Sequence, residues 1–236
     1  MNFPIIKKSS FRKCLYAFCQ KYKHSLILSY MLIYLPWFAW LEKTVTKRFH
    51  VIHMAIDDKI PFIEYFIIPY LLWFAYVAIA VLYFMFKNKE EYYRLCTFLF
   101  IGMTVFLIIS TVYPNGHHLR PVEFARDNIF VDMVQTLYQA DTSTNLFPSI
   151  HVYNSIGVNI AIWHCEEFRK NKAVRYGSAT LMISIILATM FLKQHSVFDV
   201  ITGIVFSIFM YTLVYTKSPL RLNRTEASLE KGMSQI

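Results

Sequence analysis

Long apolar runs separated by short polar stretches leave this chain few folds to adopt. A run of about 18 or more apolar residues with few charges is long enough to cross a bilayer as a helix. Six runs are read as spans: Ser25–Leu41, Pro61–Phe86, Leu95–Tyr113, Ile150–Trp163, Tyr176–Leu192 and Val197–Tyr215. The fourth is short, so its helix is expected to continue back through the polar cluster Asn145–His151. Hydrocarbon offers the backbone no water to bond, which favours helices that satisfy themselves. The expected fold class is therefore all-α, a six-span transmembrane helical bundle. Composition agrees: 56% of residues are hydrophobic and 17% charged, against roughly a quarter charged in soluble domains.

Three parts follow: a basic cytoplasmic segment (1–24), a six-helix membrane domain (25–215) and a polar cytoplasmic tail (216–236). Basic residues favour the cytoplasmic side. Seventeen Lys and Arg fall in the segments on the side of the N-terminus and seven in the loops opposite. Both termini are thus expected to be cytoplasmic in a multi-pass cell-membrane protein, with the other loops outward. The net charge of +9 sits in short segments between apolar runs. That pattern suits lipid headgroups and topology, with the bilayer rather than nucleic acid as partner. The N-terminal segment does not read as a cleavable signal; it is either an amphipathic helix on the inner leaflet or a solvated basic tail. Cys14, Cys19, Cys96 and Cys165 show no metal-type spacing and read as free thiols.

The outward ends carry polar residues that a membrane protein keeps only for a reason. His195 and Asp199 are four apart at the start of the last run, a spacing that puts them on one face of a helix. Asp199 can then accept from one imidazole nitrogen and leave the other as a nucleophile or base. Pro148-Ser149-Ile150-His151 opens another span; Pro and Ser are ordinary helix-start residues, whereas His151 is not. Arg120-Pro121 follows the third span, and the guanidinium fork suits phosphate oxygens or lipid headgroups. Between Pro121 and Ala140, apolar residues at helical spacing predict an interfacial helix on the outer surface. The sequence leaves the oligomeric state open.

In order and spacing these three elements resemble the type 2 phosphatidic acid phosphatase (PAP2) superfamily of membrane enzymes, whose pattern is Lys-x6-Arg-Pro, Pro-Ser-Gly-His and Ser-Arg-x5-His-x3-Asp. The resemblance implies a cofactor- and metal-independent phosphoryl transfer from a membrane lipid phosphate at the outer leaflet. His195 would be the nucleophile, Asp199 its orienting partner and His151 the acid and base, with Arg120 and Ser149 holding phosphate. The chain departs from the pattern at Tyr113 (for Lys), Ile150 (for Gly) and Ala188-Thr189 (for Ser-Arg). Lys193, His117 and His118 are the nearby residues able to replace the lost charge. The Lys193-Gln194-His195 variant is also similar to the branch with sphingomyelin and inositol phosphorylceramide synthases. A lipid phosphatase, a lipid phosphotransferase and a non-enzymatic transporter or scaffold thus stand as readings. A metal site on His151, His195 and Asp199 is a weaker one.

Overall fold

The computed structural model describes residues 20–216. The basic N-terminal segment, with Cys14 and Cys19, and the polar tail fall largely or wholly outside those residues. Seven α-helices have both ends among the described residues, in order: α1 (Met31–Thr44), α2 (Ile67–Lys87), α3 (Lys89–Val112), α4 (Ile129–Ala140), α5 (Ile150–His164), α6 (Lys172–Phe191) and α7 (Val197–Tyr211). A 3-10 stretch, Lys23–Tyr30, leads into α1, and a π turn, Thr212–Thr216, extends α7. Among the described residues, five helices are long and apolar enough to cross a membrane: Lys23–Thr44, Glu64–Lys87, Lys89–Val112, Lys172–Phe191 and Val197–Thr216.

Local chemistry fixes the helix ends. α3 starts six residues before the apolar run because Asn88 caps it, accepting from the Glu91 amide. Arg94 then pairs with Glu90 and Glu91 along the helix. The helix expected from Pro121 begins only at Ile129, where the Asn128 side chain accepts from the amides of Phe130 and Val131. A further expectation is corrected: α5 does not run back through Asn145–His151. Ser149 caps it, and Asn145 has a positive φ of 56°, which breaks any helix there but suits Asn.

At 15 residues, α5 spans only about 22 Å, yet it is the hub of the bundle, packed by α2, α3, α6 and α7. Its contact with α3 is reciprocal. Tyr153 of α5 lies over Gly102 of α3, Phe98 of α3 lies over Gly157 of α5, and the two rings stack 4.5 Å apart. The Tyr153 hydroxyl donates to the Phe98 carbonyl at 2.7 Å. Small residues that let helices approach this closely are a usual device of membrane bundles. The outer faces stay apolar, with Leu32, Ile79, Val112 and Val205 all exposed, as suits a lipid surround.

Three loops are sewn together at one end. β1 (His50–Val51) pairs in parallel with β2 (Asn115–Gly116), and Gly116 bridges Thr144. The Asn115 side chain accepts from the amides of Leu146 and Phe147 at 2.8 and 2.9 Å. Gly116 has no room for a Cβ, which would stand 2.6 Å from the Ser143 carbonyl oxygen. This cluster aligns the loop before α5 beneath the end of α6.

Candidate active site

The end of α6 turns the chain back on itself. The Gln194 amide donates to the Thr189 carbonyl and the Lys193 amide to that of Met190, the paired bonds of a Schellman motif. Lys193 occupies its left-handed position with φ 52°, a place normally held by glycine. The His195 amide also donates to the Thr189 carbonyl, at 3.0 Å. Thr189 stands where the family pattern has Arg; here its carbonyl shapes the turn.

Ser196 then caps α7 in a capping box, with the Asp199 carboxylate accepting from the Ser196 amide at 3.0 Å. His195 therefore precedes the helix instead of lying on it. The pair meets because the box folds Asp199 back over the helix start, leaving His195 Nδ1 3.5 Å from Asp199 Oδ2. Both residues are buried, and His195 Nδ1 and Asp199 Oδ1 have no hydrogen-bond partner.

α5 joins through its backbone, the Ser149 amide donating to the Asp199 carbonyl at 3.3 Å. That contact sets His151 against His195, with His151 Nδ1 and His195 Nε2 3.4 Å apart and one donating to the other. Tyr70 and Trp73 of α2 wall the His151 ring at centroid distances of 4.8 and 4.4 Å. The Ser149 hydroxyl is buried and caps α5 by accepting from the Val152 amide.

Arg120 arrives already engaged. Its guanidinium donates to the carbonyls of Tyr138, Asp141 and Thr142 and to Gln194 Oε1, and lies 4.5 Å over the Tyr138 ring. Its Nε and the Gln194 Nε2 are buried with no partner. Glu42 of α1 holds the same loop, accepting from Thr142 and Asn145. Burial pushes the Asp141 carboxyl up to about 6, with Arg120 opposing and Glu42 adding to the rise.

The expected substitutes for the lost cations go elsewhere. Lys193 Nζ donates to the Asp57 carbonyl at 2.7 Å, and burial lowers its pKa against the opposing charges of Asp57 and Asp58. His118 is exposed with its ring against Phe49 at 5.4 Å. His117 is buried; its Nδ1 accepts from the Leu119 amide, so Nε2 donates to the Gln194 carbonyl at 2.9 Å. Burial pushes His117 down to about 4, Gln194's carbonyl opposing and His195 and Arg120 assisting, so it is neutral at pH 7. Tyr113, at the lost Lys position, stacks on His50 at 4.1 Å. Burial, with the charge of Arg120, pushes His195 down to about 3, leaving an unprotonated imidazole. No group of three His, Cys, Asp or Glu able to hold a metal occurs among the described residues.

Sequence reasoning missed Gln194 and Asp57. Gln194 was legible only as the neighbour of His195. Asp57 accepts from Ser196 Oγ and the Val197 amide and gave no signal in spacing.

Long apolar helices around a His–His–Asp group, with its His195 and Asp199 buried and one Arg beside it, fit a membrane phosphatase-type protein. Residues 119–222 match the family model of the PAP2 superfamily, so over that stretch the chain is similar to that family. The matched region contains Arg120, Ser149, His151, His195 and Asp199 and leaves out α1 to α3. No curated protein and no solved structure matches the chain.

Proposed function

We propose that this chain is an integral membrane lipid phosphate phosphatase that hydrolyses a phosphomonoester or diphosphate of a membrane lipid at the outer leaflet through a phosphohistidine. The observation that carries the reading is the alignment Asp199–His195–His151, with one nitrogen of His195 facing the carboxylate and the other facing the second imidazole. The Asp199 carboxylate, 3.5 Å from Nδ1, favours the tautomer with the proton on Nδ1, so the Nε2 lone pair is free to attack phosphorus. The Nε2–P bond forms as the ester P–O bond breaks. His151, protonated beside the phosphate anion, gives its proton to the leaving oxygen. As a neutral base it then takes a proton from water, which attacks phosphorus, breaks the P–N bond and frees orthophosphate. Arg120, the Gln194 amide and Ser149 at the start of α5 hold the equatorial oxygens, where charge stabilisation does most of the work.

In this reading α5 is a sixth, short span and α4 lies at the outer interface. Both termini are cytoplasmic and the site faces outward, in keeping with the Lys and Arg distribution.

The scarcity of positive charge favours a second reading. Arg120 is beside Asp141, Lys193 is bonded to the Asp57 carbonyl, and His117 is neutral. Such a site suits the single charge of a phosphodiester better than the double charge of a monoester, as in a headgroup phosphotransferase. Purified protein with labelled phosphatidate separates the two. Orthophosphate released without an alcohol acceptor supports hydrolysis, and strict dependence on an acceptor sinks it. Turnover that survives His195→Ala removes the phosphohistidine from both, and a protein without turnover on either substrate class is the scaffold.

A further inference from the structure

The segment bearing His195 is fastened by a residue far away in the chain. Asp57 lies in a turn between α1 and α2 and is 1% exposed. Its Oδ2 accepts from Ser196 Oγ at 2.6 Å and from the Met54 amide at 2.8 Å. Its Oδ1 accepts from the Val197 amide at 2.8 Å, and its carbonyl accepts from Lys193 Nζ. Residues on both sides of His195 are thus tied to one side chain and its own backbone. Ser196 is also the cap of α7 and donates its amide to Asp199, so Asp57 anchors the box that brings Asp199 to His195. A carboxylate is well suited to this end of a helix. A cap alone needs only the Val197 bond; the additional bonds to Ser196 and Lys193 bracket the imidazole.

We propose that Asp57, outside the region matched by the family, is a positioning residue that holds His195 at its angle of attack through Ser196, Val197 and Lys193. The proposal rests on the phosphohistidine reading. Small displacements of a reacting group lower rate more than binding, by up to about 100-fold for about 1 Å.

The test uses full-length protein in detergent with short-chain phosphatidate labelled at phosphorus, measuring kcat, KM and the rate of acid-labile phosphoenzyme formation. Asp57→Ala is expected to lower kcat and phosphoenzyme formation by about 100-fold while KM moves less than about threefold. Asp57→Asn, which keeps an acceptor for Val197, is expected to fall between it and the native protein. Ser196→Ala is expected to cost less, and the Asp57→Ala/Ser196→Ala pair no more than Asp57→Ala alone. Asn171→Ala, which removes the cap of α6 far from the site, is expected to leave kcat unchanged. Phosphoenzyme formation at the native rate in folded Asp57→Asn, additive losses in the pair, or an equal loss in Asn171→Ala each overturn the proposal. If Asp57→Ala does not fold, Asp57→Asn and Ser196→Ala decide. If the native protein forms no phosphohistidine, the functional reading has failed and the proposal falls with it, a result recognised from the control without any variant.

Discussion

Gly102→Ala tests whether the hub helix is held as closely as its packing implies. A Cβ at position 102 would stand 1.9 Å from Tyr153 Cε1 and 2.4 Å from Cζ, well inside any contact distance. Tyr153 has nowhere to retreat: it is 1% exposed, stacked on Phe98 at 4.5 Å and on Phe206 at 4.9 Å, and its hydroxyl donates to the Phe98 carbonyl. Moving the ring forfeits a buried hydrogen bond, about 1 kcal/mol, and two aromatic contacts of about 0.5–1.5 kcal/mol each. The helix preference of Ala returns about 1 kcal/mol. The net loss is about 1–3 kcal/mol, which lowers the melting temperature of a domain this size by roughly 3–10 °C. Thermal unfolding in detergent, followed by circular dichroism, reads this shift. Activity is expected to fall as well, because His151 sits two residues before Tyr153. The reasoning also requires Gly102→Ala to cost little in a Tyr153→Leu background, where the ring is gone. A melting temperature within 1 °C of native, or equal costs in both backgrounds, refutes it.

Other expectations are more local. Lys193→Gly and Lys193→Ala both lose the bond to Asp57, but only Gly relieves the left-handed backbone; Gly should be the more stable by about 1 kcal/mol, measured by melting. Gln194→Glu puts a carboxylate beside Arg120 and the proposed phosphate site; KM for phosphatidate should rise at least about tenfold, with Gln194→Ala between it and native. His195 and His117 are held near 3 and 4, below the ordinary 6.5. Below about pH 6.5 the unfolded chain takes up protons that the fold does not, so stability is full above pH 6.5 and is lost as pH falls toward 4 and 3. Melting temperatures should decline over that window and decline less in His117→Gln. In short assays on intact protein, kcat should show no loss centred at pH 6.5, since His195, the proposed nucleophile, is already unprotonated there.

The features legible in the sequence were the local ones. Apolar runs name five of the long helices because hydrophobicity adds residue by residue. His195 and Asp199 were recognisable because a capping box is written within a few positions, although it is the box and not a shared helix face that joins them. Pro148 and Ser149 read as ordinary helix-start residues, and Ser149 does cap α5, although the helix was expected to reach back to Asn145. What could not be read is the polar stitching between loops. Glu42 meets Thr142 and Asn145 about a hundred positions away, and Arg120 is engaged by backbone carbonyls whose direction no side-chain pattern encodes. Lys193 was counted as a substitute cation, but the left-handed turn at its own backbone accompanies a side chain bonded to Asp57.

The bond from Asp57 to Ser196 spans 139 positions and bears on synthesis as well as geometry. Chains are made and fold from the N-terminus, so Asp57 is in place long before its partners exist. The loops at 50 and 115 can join as soon as α3 is in the bilayer, and Thr144 can join them before α5 is made. His195, the proposed nucleophile, is not held by Asp57 until α6 and α7 have entered and returned Ser196 to the waiting carboxylate. A chain arrested anywhere before that return carries most of the hydrophobic bundle without the bond that anchors the His195 segment, so the proposed site is the last part of the molecule to be completed.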